Sequence, residues 1–153
     1  MEEKEFITHS ARETEDLGSK LAHNFRIGSV VILTGELGAG KTTFIQGVAK
    51  GFNIKSRVIS PTFILLRKHR GKFDGRKINL YHIDLYRLEG SEIKNIGLED
   101  VFEDSNGIFL IEWPPPRGLW PGGGERHENL KASWEISFEI LGKDKRRITI
   151  NHE

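Results

Sequence analysis

The feature that most constrains the fold of this chain is a phosphate-binding loop pattern at residues 35–42. The pattern G-x-x-x-x-G-K-[ST] is matched at every fixed position by Gly35-Glu36-Leu37-Gly38-Ala39-Gly40-Lys41-Thr42. A β-branched apolar run at 29–34 precedes the loop and predicts a buried strand. The residues after the loop place four apolar side chains on one helical face, namely Phe44, Ile45, Val48 and Ala49. Gly51 is the predicted C-cap of this helix.

The chemistry of phosphate binding explains the residue types in this loop. Backbone N–H groups can surround a phosphate only where side chains leave room, which Gly38 and Gly40 provide. The following helix adds the positive end of its dipole. Lys41 is placed to reach the β- and γ-phosphates, and the Thr42 hydroxyl to bind magnesium. The predicted nucleotide contacts are Leu37, Gly38, Ala39, Gly40, Lys41, Thr42 and Thr43.

Length and composition limit the remaining classes of protein. The 153 residues predict a single P-loop domain over residues 1–153. With 23 Lys and Arg against 22 Asp and Glu, a net charge of +1 gives no overall attraction to nucleic acid or membrane. The absence of cysteine excludes disulfides and thiolate metal sites. No apolar run has the length of a membrane span, and the acidic start lacks a signal-peptide pattern, so we expect a cytoplasmic protein without membrane association.

The rest of the chain alternates between strand and helix patterns. Ser10 predicts an N-cap, with Glu13 at the capping-box spacing. The predicted strands are 6–8, 64–66, 78–84, 108–112, 132–141 and 147–151, with a further helix at 91–102, a hairpin tip at 68–77 and a Pro/Gly-rich loop at 114–124. This order predicts an α/β fold, a P-loop NTPase-like three-layer sandwich with a mixed, mainly parallel central sheet and a β-hairpin extension.

Two carboxylates follow apolar strands and are candidates for the site beside the loop. Glu112 ends the run at 108–111, which is typical of a central parallel strand, and Asp84 ends a more mixed strand. Either carboxylate can hold magnesium through water while the other orients the attacking water or the γ-phosphate. Thr62, which follows Pro61, is a third candidate because a loop Thr often contacts magnesium and the γ-phosphate in nucleotide switches.

Several strings in this chain coincide with one family pattern. The chain resembles the TsaE (YjeE) family, bacterial P-loop ATPases of threonylcarbamoyladenosine formation in tRNA. The resemblance covers the chain from about Ser10 to Pro114 and is carried by 35–43, by Ser60-Pro61-Thr62-Phe63, by Tyr81-His82-Ile83-Asp84-Leu85-Tyr86-Arg87-Leu88 and by Leu110-Ile111-Glu112-Trp113-Pro114. The His-x-Asp-x-Tyr-Arg string followed by Ile-Glu-Trp is far more specific than the P-loop.

The resemblance implies an ATPase that is weak alone and acts, with ATP and Mg²⁺, on a TsaB–TsaD-type complex. In that family ATP hydrolysis is thought to reset the complex between turnovers. The roles implied for single residues are phosphate and magnesium binding by Lys41 and Thr42, a metal carboxylate at Glu112, a switch Thr at Thr62, a catalytic-site carboxylate at Asp84, an aromatic flank at Trp113, and an adenine-side loop at Ser10 and Ala11.

Two features depart from the family pattern: the basic hairpin, and the segment Pro114-Pro115-Pro116 with the glycines 122–124, a loop that can lie over the nucleotide because it follows Glu112 and Trp113. The predicted hairpin carries Arg67, Lys68, Arg70, Lys72, Arg76 and Lys77, more cations than the family usually shows. A solvated hairpin is the simpler interpretation, and a contact with tRNA or an acidic partner surface is the alternative. Near the end, Lys145-Arg146-Arg147 is expected to be an exposed turn, with contact to phosphate or base as the alternative.

Two other functions use the same loop. A small-molecule kinase also needs an acceptor pocket and a mobile lid; the basic hairpin can supply a lid, but the sequence shows no acceptor-binding constellation. A non-catalytic binding module, in which ATP only changes partner affinity, is the second alternative.

Overall fold

One seven-stranded sheet organises the part of the chain that the structure describes. The structure is a computed structural model, and it describes residues 2–58, 66–84, 98–112 and 132–152. Its elements in chain order are β1 (Glu2–Thr8), α1 (Ala11–Ala22), β2 (Val30–Gly35), α2 (Lys41–Gly51), β3 (Leu66–Phe73), β4 (Arg76–Asp84), α3 (Leu98–Phe102), β5 (Gly107–Glu112), β6 (Trp134–Ile140) and β7 (Arg146–His152).

The four central strands are parallel and the outer strands are antiparallel to their neighbours. The strand order is β1-β7-β6-β2-β5-β4-β3, in which β6, β2, β5 and β4 run in the same direction. β7 pairs with β6, β1 pairs with β7, and β3 pairs with β4, in each case through an antiparallel ladder. The carboxyl ends of β2, β5 and β4 therefore meet at one edge of the sheet, which is where doubly wound folds place their ligands.

Both faces of the sheet are covered, and this explains the uninterrupted apolar run in β5. Ile108 and Leu110 belong to the core that α1 and α2 cover, whereas Phe109 and Ile111 belong to a second core that includes residues of α3. A strand buried on both faces needs apolar side chains at every position rather than at every second one. This arrangement confirms the expected three-layer fold.

Helices α1 and α2 pack with their backbones in contact. A Cβ added at Gly47 would overlap the carbonyl group of Glu15, and one added at Gly18 would overlap the carbonyl oxygen of Phe44. Gly51 has the same role, because its Cβ would lie 2.7 Å from Ala22 Cβ. The prediction of Gly51 as the C-cap is therefore wrong.

The C-cap of α2 lies one residue later than the sequence predicted. Phe52 is the C-cap, and the left-handed residue is Asn53, with φ 56°. Asn is the residue other than Gly that most readily takes this conformation. Gly51 stays inside the helix, where its missing side chain permits the contact with α1.

The predicted N-cap of α1 is confirmed. The Ser10 hydroxyl accepts a hydrogen bond from the Glu13 N–H at 3.1 Å. The Glu13 carboxylate reaches back to the N–H of His9, at 3.3 and 3.4 Å to its two oxygens, rather than to that of Ser10. Both interactions satisfy donors that would otherwise have no partner near the start of the helix.

The β3–β4 hairpin is longer and tighter than predicted. Its turn consists of Asp74 and Gly75, with φ 50° and 74°, and Phe73 already pairs with Arg76. Two positive φ values are typical of a type I′ turn, which lets the ladder continue to the turn itself. The predicted ten-residue tip at 68–77 is wrong, because its polar residues lie in paired strands whose side chains are partly exposed.

Several predicted elements extend beyond the described residues. The strand at 64–66 is described only at Leu66, where β3 begins, and the helix at 91–102 only from Leu98. The loop at 114–124 lies outside the described residues. Within the described ranges, no helix has both the length and the apolar character that a membrane crossing requires.

Candidate functional site

The predicted phosphate-binding loop connects β2 to α2 at the carboxyl edge of the sheet. Gly38 and Gly40 have backbone φ angles of 77° and 102°, which residues other than glycine rarely adopt. Gly40 is the N-cap of α2, and no side-chain hydrogen bond caps this end. The start of a helix is where backbone N–H groups and the helix dipole favour binding of an anion.

Lys41 lies in the first turn of α2 and is almost completely buried, with 4% exposure. Its Nζ donates to the carbonyl oxygen of Gly35 and, at 3.4 Å, to that of Glu36. Burial lowers the pKa of Lys41 below its ordinary value, while the negative charges of Glu112 and Asp84 oppose this shift. The ammonium group is thus within electrostatic reach of both carboxylates.

The two predicted carboxylates lie side by side. Asp84 and Glu112 are register partners in the parallel β4–β5 ladder, and both are buried, with 7% and 3% exposure. Glu112 lies two residues after Leu110, and Asp84 lies four residues after Leu80, so each carboxylate shares a strand face with a core leucine. Both carboxylates therefore face the side of the sheet that α2 covers. The structure brings Lys41, Asp84 and Glu112 together at the end of β2, as the sequence predicted.

The sequence analysis missed a buried partner of Glu112. His82 Nε2 lies 2.7 Å from Glu112 Oε2, and the histidine has no exposed surface. Period-two alternation was the signal that could have found it, because His82 and Asp84 lie on the same face of β4. His82 is part of the string at 81–88 that carries the family resemblance, but no role at the site was predicted for it.

The remaining residues of the predicted nucleotide contacts differ in their surroundings. Thr42 and Thr43 are half-buried in the first turn of α2. Ala39 is buried and donates its N–H to the carbonyl oxygen of Glu36 at 3.0 Å, whereas the Leu37 side chain is 64% exposed. Thr42 therefore follows Lys41 with a partly exposed side chain, while Leu37 faces outward from the loop.

The first turn of α1 lies against the loop. Thr14 Cγ2 is 3.6 Å from the position that a Cβ would take at Gly40, and the Thr14 N–H donates to the Ser10 carbonyl oxygen at 3.2 Å. Ser10 and the exposed Ala11 are thus within one helical turn of Thr14, the residue that approaches the loop. Two predicted site residues, Thr62 and Trp113, lie outside the described residues.

The first residue of β7 also reaches the loop. Arg146 Nη2 donates to the carbonyl oxygen of Gly38 at 3.2 Å. Arg146 Nη1 donates to the carbonyl oxygens of Gly142 and Lys145, at 2.9 and 3.0 Å, which fixes the guanidinium within its own turn. The expectation of an exposed turn at 145–147 is wrong at Arg146 and Arg147, which begin β7 and are half-buried, and Arg146 also contacts the loop.

Comparison with known proteins agrees with the pattern of the sequence. The family model described as threonylcarbamoyl adenosine biosynthesis protein TsaE matches residues 8–148. That match extends beyond residues 10–114, which carry the sequence resemblance, and includes β6 and the first three residues of β7.

Two curated relatives carry the name tRNA threonylcarbamoyladenosine biosynthesis protein TsaE. The protein from Nostoc sp. is 46% identical over 103 residues, which cover 65% of this chain and 61% of the relative. The protein from Treponema pallidum is 35% identical over 147 residues, which cover 94% of this chain and 97% of the relative. The chain therefore matches less than two thirds of the first relative and nearly all of the second.

A solved structure supports the fold over almost the whole chain. The crystal structure of Bacillus subtilis YdiB superposes with a TM-score of 0.70 at 29% identity, covering 99% of this chain and 86% of the other. The likeness agrees with the P-loop NTPase-like architecture expected from the sequence.

Proposed function

The chain belongs to the TsaE family of threonylcarbamoyladenosine biosynthesis proteins, and on that premise we propose that it is a magnesium-dependent ATPase acting in this modification of tRNA. The observation that carries the proposal is the convergence of Lys41, Asp84 and Glu112 at the loop before α2. A buried cation and two buried carboxylates at the carboxyl edge of a parallel sheet are the groups that phosphoryl transfer to water requires.

The loop and Lys41 bind the triphosphate in this proposal. The N–H groups at the start of α2 hold phosphate oxygens, and Lys41 supplies a positive charge beside the β- and γ-phosphates. Because Lys41 is buried, its charge is little screened by solvent. ATP is the nucleotide that family membership implies, with Ser10 and Ala11 on the adenine side.

The donor set at the loop fits magnesium. Thr42 offers a hydroxyl and Glu112 a carboxylate, both of them oxygen ligands of the kind that Mg²⁺ prefers. Mg²⁺ usually keeps several waters and binds through one or two protein groups together with phosphates, so two protein residues are enough. When bound, magnesium would neutralise charge on the phosphates.

Asp84 is the proposed group for orienting the attacking water. It lies across the ladder from Glu112 and faces the same side of the sheet. A carboxylate in this position can accept a hydrogen bond from water and direct a lone pair of its oxygen toward the γ-phosphorus. Thr62 and Trp113 complete the proposed site on family resemblance, as switch Thr and aromatic flank.

The proposed partner is a TsaB–TsaD-type complex, which stimulates an activity that is weak in the isolated chain. A role in tRNA modification would be carried out in the cytoplasm, which is the location that we propose. The exposed cations of β3 and β4, among them Arg70, Lys72 and Lys77, leave a direct contact with tRNA as an alternative to a solvated hairpin.

One comparison tests the proposed function against the kinase and the non-catalytic binding module. ATP turnover is measured with and without the TsaB–TsaD complex, and in parallel with a panel of nucleosides and sugars. We expect the complex to stimulate release of inorganic phosphate and no small molecule to be phosphorylated. Phosphate transfer to a small acceptor would establish the kinase instead. Nucleotide-dependent binding to the complex without turnover would establish the non-catalytic module.

A further inference from the structure

We propose that His82 is a positioning residue that fixes the carboxylate of Glu112 in one orientation toward the nucleotide-bound magnesium. This inference rests on the proposed function, because it assigns a role to a neighbour of the proposed metal carboxylate. It concerns a side chain that binds neither nucleotide nor metal and acts only through Glu112.

The contact between the two side chains is short and buried. His82 Nε2 and Glu112 Oε2 are 2.7 Å apart, within the range of charge-assisted hydrogen bonds. The side chains are 0% and 3% exposed, so water does not compete for the bond. A hydrogen bond in such surroundings restricts rotation of the carboxylate far more than one at the surface.

The histidine is itself firmly placed. β4 is paired on both sides, with His82 opposite Leu110 of β5 and opposite Arg67 of β3. Leu80, two residues earlier on the same face, is completely buried in the core beneath α2. Among the described residues His82 Nδ1 has no hydrogen-bond partner, so the orientation of the ring depends on its packing and on Glu112.

The bond leaves the two oxygens of Glu112 with different tasks. Oε2 accepts from His82, so Oε1 is the oxygen that would serve as the ligand of magnesium. Carboxylates that bind metals are commonly held in this way by a second hydrogen bond, and loss of the holding group typically costs about 10–100-fold in metal affinity or activity. His82 thus sets which oxygen of Glu112 meets the ion.

The test compares His82→Leu with His82→Gln. Leucine keeps the buried volume and removes the donor, whereas the glutamine amide can donate from nearly the same position as Nε2. The readout is the binding of a fluorescent ATP analogue as magnesium is titrated, alongside the magnesium dependence of turnover. We expect His82→Leu to raise the half-saturating magnesium concentration by about 10–100-fold. In His82→Gln this concentration should stay close to the wild-type value. Nucleotide binding in EDTA should be unchanged in both variants.

His69→Leu is the matched control. His69 is also a buried histidine on the same face of the neighbouring strand, but its Nδ1 pairs with Ser56 Oγ at 3.0 Å. This variant should leave the magnesium dependence unchanged. An equal shift in His69→Leu and His82→Leu would show a general packing effect and overturn the positioning role.

A second variant keeps the inference testable if His82→Leu does not fold. His82→Asn carries the same amide as His82→Gln, but its shorter side chain cannot reach Glu112. We therefore expect His82→Asn to raise the half-saturating magnesium concentration, as His82→Leu does. In a Glu112→Gln background, replacing His82 should add nothing further. A folded His82→Leu or His82→Asn protein with the wild-type magnesium dependence would refute the role. Failure of the proposed function is distinct, since the wild-type protein would then show no magnesium-dependent nucleotide binding or turnover.

Discussion

Asp84 and Glu112 end adjacent parallel strands at the same level of the ladder, and both carboxylates are buried on the side of the sheet that carries Lys41. Two like charges so placed are costly to bury unless a cation lies close by. Lys41 provides that cation from the first turn of α2, and its own burial cost is reduced by the two carboxylates. The attraction between Lys41 and each carboxylate therefore offsets part of the repulsion between Asp84 and Glu112.

Replacing Lys41 with Ala is expected to abolish productive nucleotide binding. The substitution removes the cation beside the phosphates and leaves Asp84 and Glu112 without its charge. Lys50→Ala is the matched control, because Lys50 lies on the same helix, is exposed and pairs with Glu15. Titration of a fluorescent ATP analogue measures the effect, and wild-type affinity in Lys41→Ala would contradict the assignment.

Glu112→Ala is expected to reduce ATP turnover by at least ~100-fold while part of the nucleotide binding remains. The reason is that the loop and Lys41 still hold the phosphates, whereas the proposed metal carboxylate is gone. Glu135→Ala, an exposed carboxylate on β6, removes the same charge away from the site and should keep turnover. The measurement is phosphate release in the presence of the partner complex. Full turnover in Glu112→Ala would refute its role.

Arg146→Ala is expected to weaken nucleotide binding by about 3–10-fold, because a hydrogen bond of typical net strength, about 0.5–1.5 kcal/mol, holds the loop at Gly38. Lys143→Ala takes a charge from the same turn and serves as the control for simple charge loss. Calorimetric binding of the nucleotide distinguishes the two variants. Equal effects would mean that charge, rather than the contact with Gly38, matters here.

Tyr81→Phe is expected to change how stability depends on pH. The Tyr81 hydroxyl donates to Asp104 Oδ2 at 2.5 Å, and burial together with this bond raises the pKa of Tyr81 from 10.0 to about 12. Stability supplied by the protonated phenol is therefore complete below pH 10 and is lost as pH rises toward 12. Tyr81→Phe should cost about 0.5–1.5 kcal/mol of unfolding free energy at pH 7.

The hydrogen bond between Tyr81 and Asp104 also makes stability depend on pH under acid conditions. The hydrogen bond from Tyr81 is the main cause of a lowered pKa of Asp104, so its stabilisation is present above pH 3.8, the ordinary value, and is lost as the pH falls through the lowered folded value. The difference between wild type and Tyr81→Phe should thus shrink under acid conditions. Urea unfolding at several pH values measures it, and a constant difference from pH 7 to strongly acid conditions would contradict the linkage.

Periodicity and strand-end chemistry were enough to predict the framework of the site. The apolar run of β5 predicted a central strand, and its terminal Glu112 predicted a carboxylate beside the loop, because parallel strands end at a common edge. The same argument placed Asp84. These features depend on local sequence, so they could be read without any three-dimensional information.

The features that the sequence did not predict depend on contacts between distant parts of the chain. Arg146 meets Gly38 across 108 positions of sequence, and no local pattern marks that contact. Gly is the residue type expected at a helix C-terminus, but Gly51 lies inside α2, where α1 packs against it. Asn53 takes the left-handed conformation instead. His82 lay on the face that alternation predicts, but only the position of β5 beside β4 gives it Glu112 as a partner.

The direct backbone contact between α1 and α2 has a mechanical consequence. Side chains can rotate to absorb a displacement, but at Gly18 and Gly47 the two helices meet with no side chain between them. Thr14 extends the same contact to Gly40, the last glycine before Lys41. Because closely packed elements transmit strain, a partner that displaced α1 from its exposed side would also displace α2 and the phosphate-binding loop that precedes it.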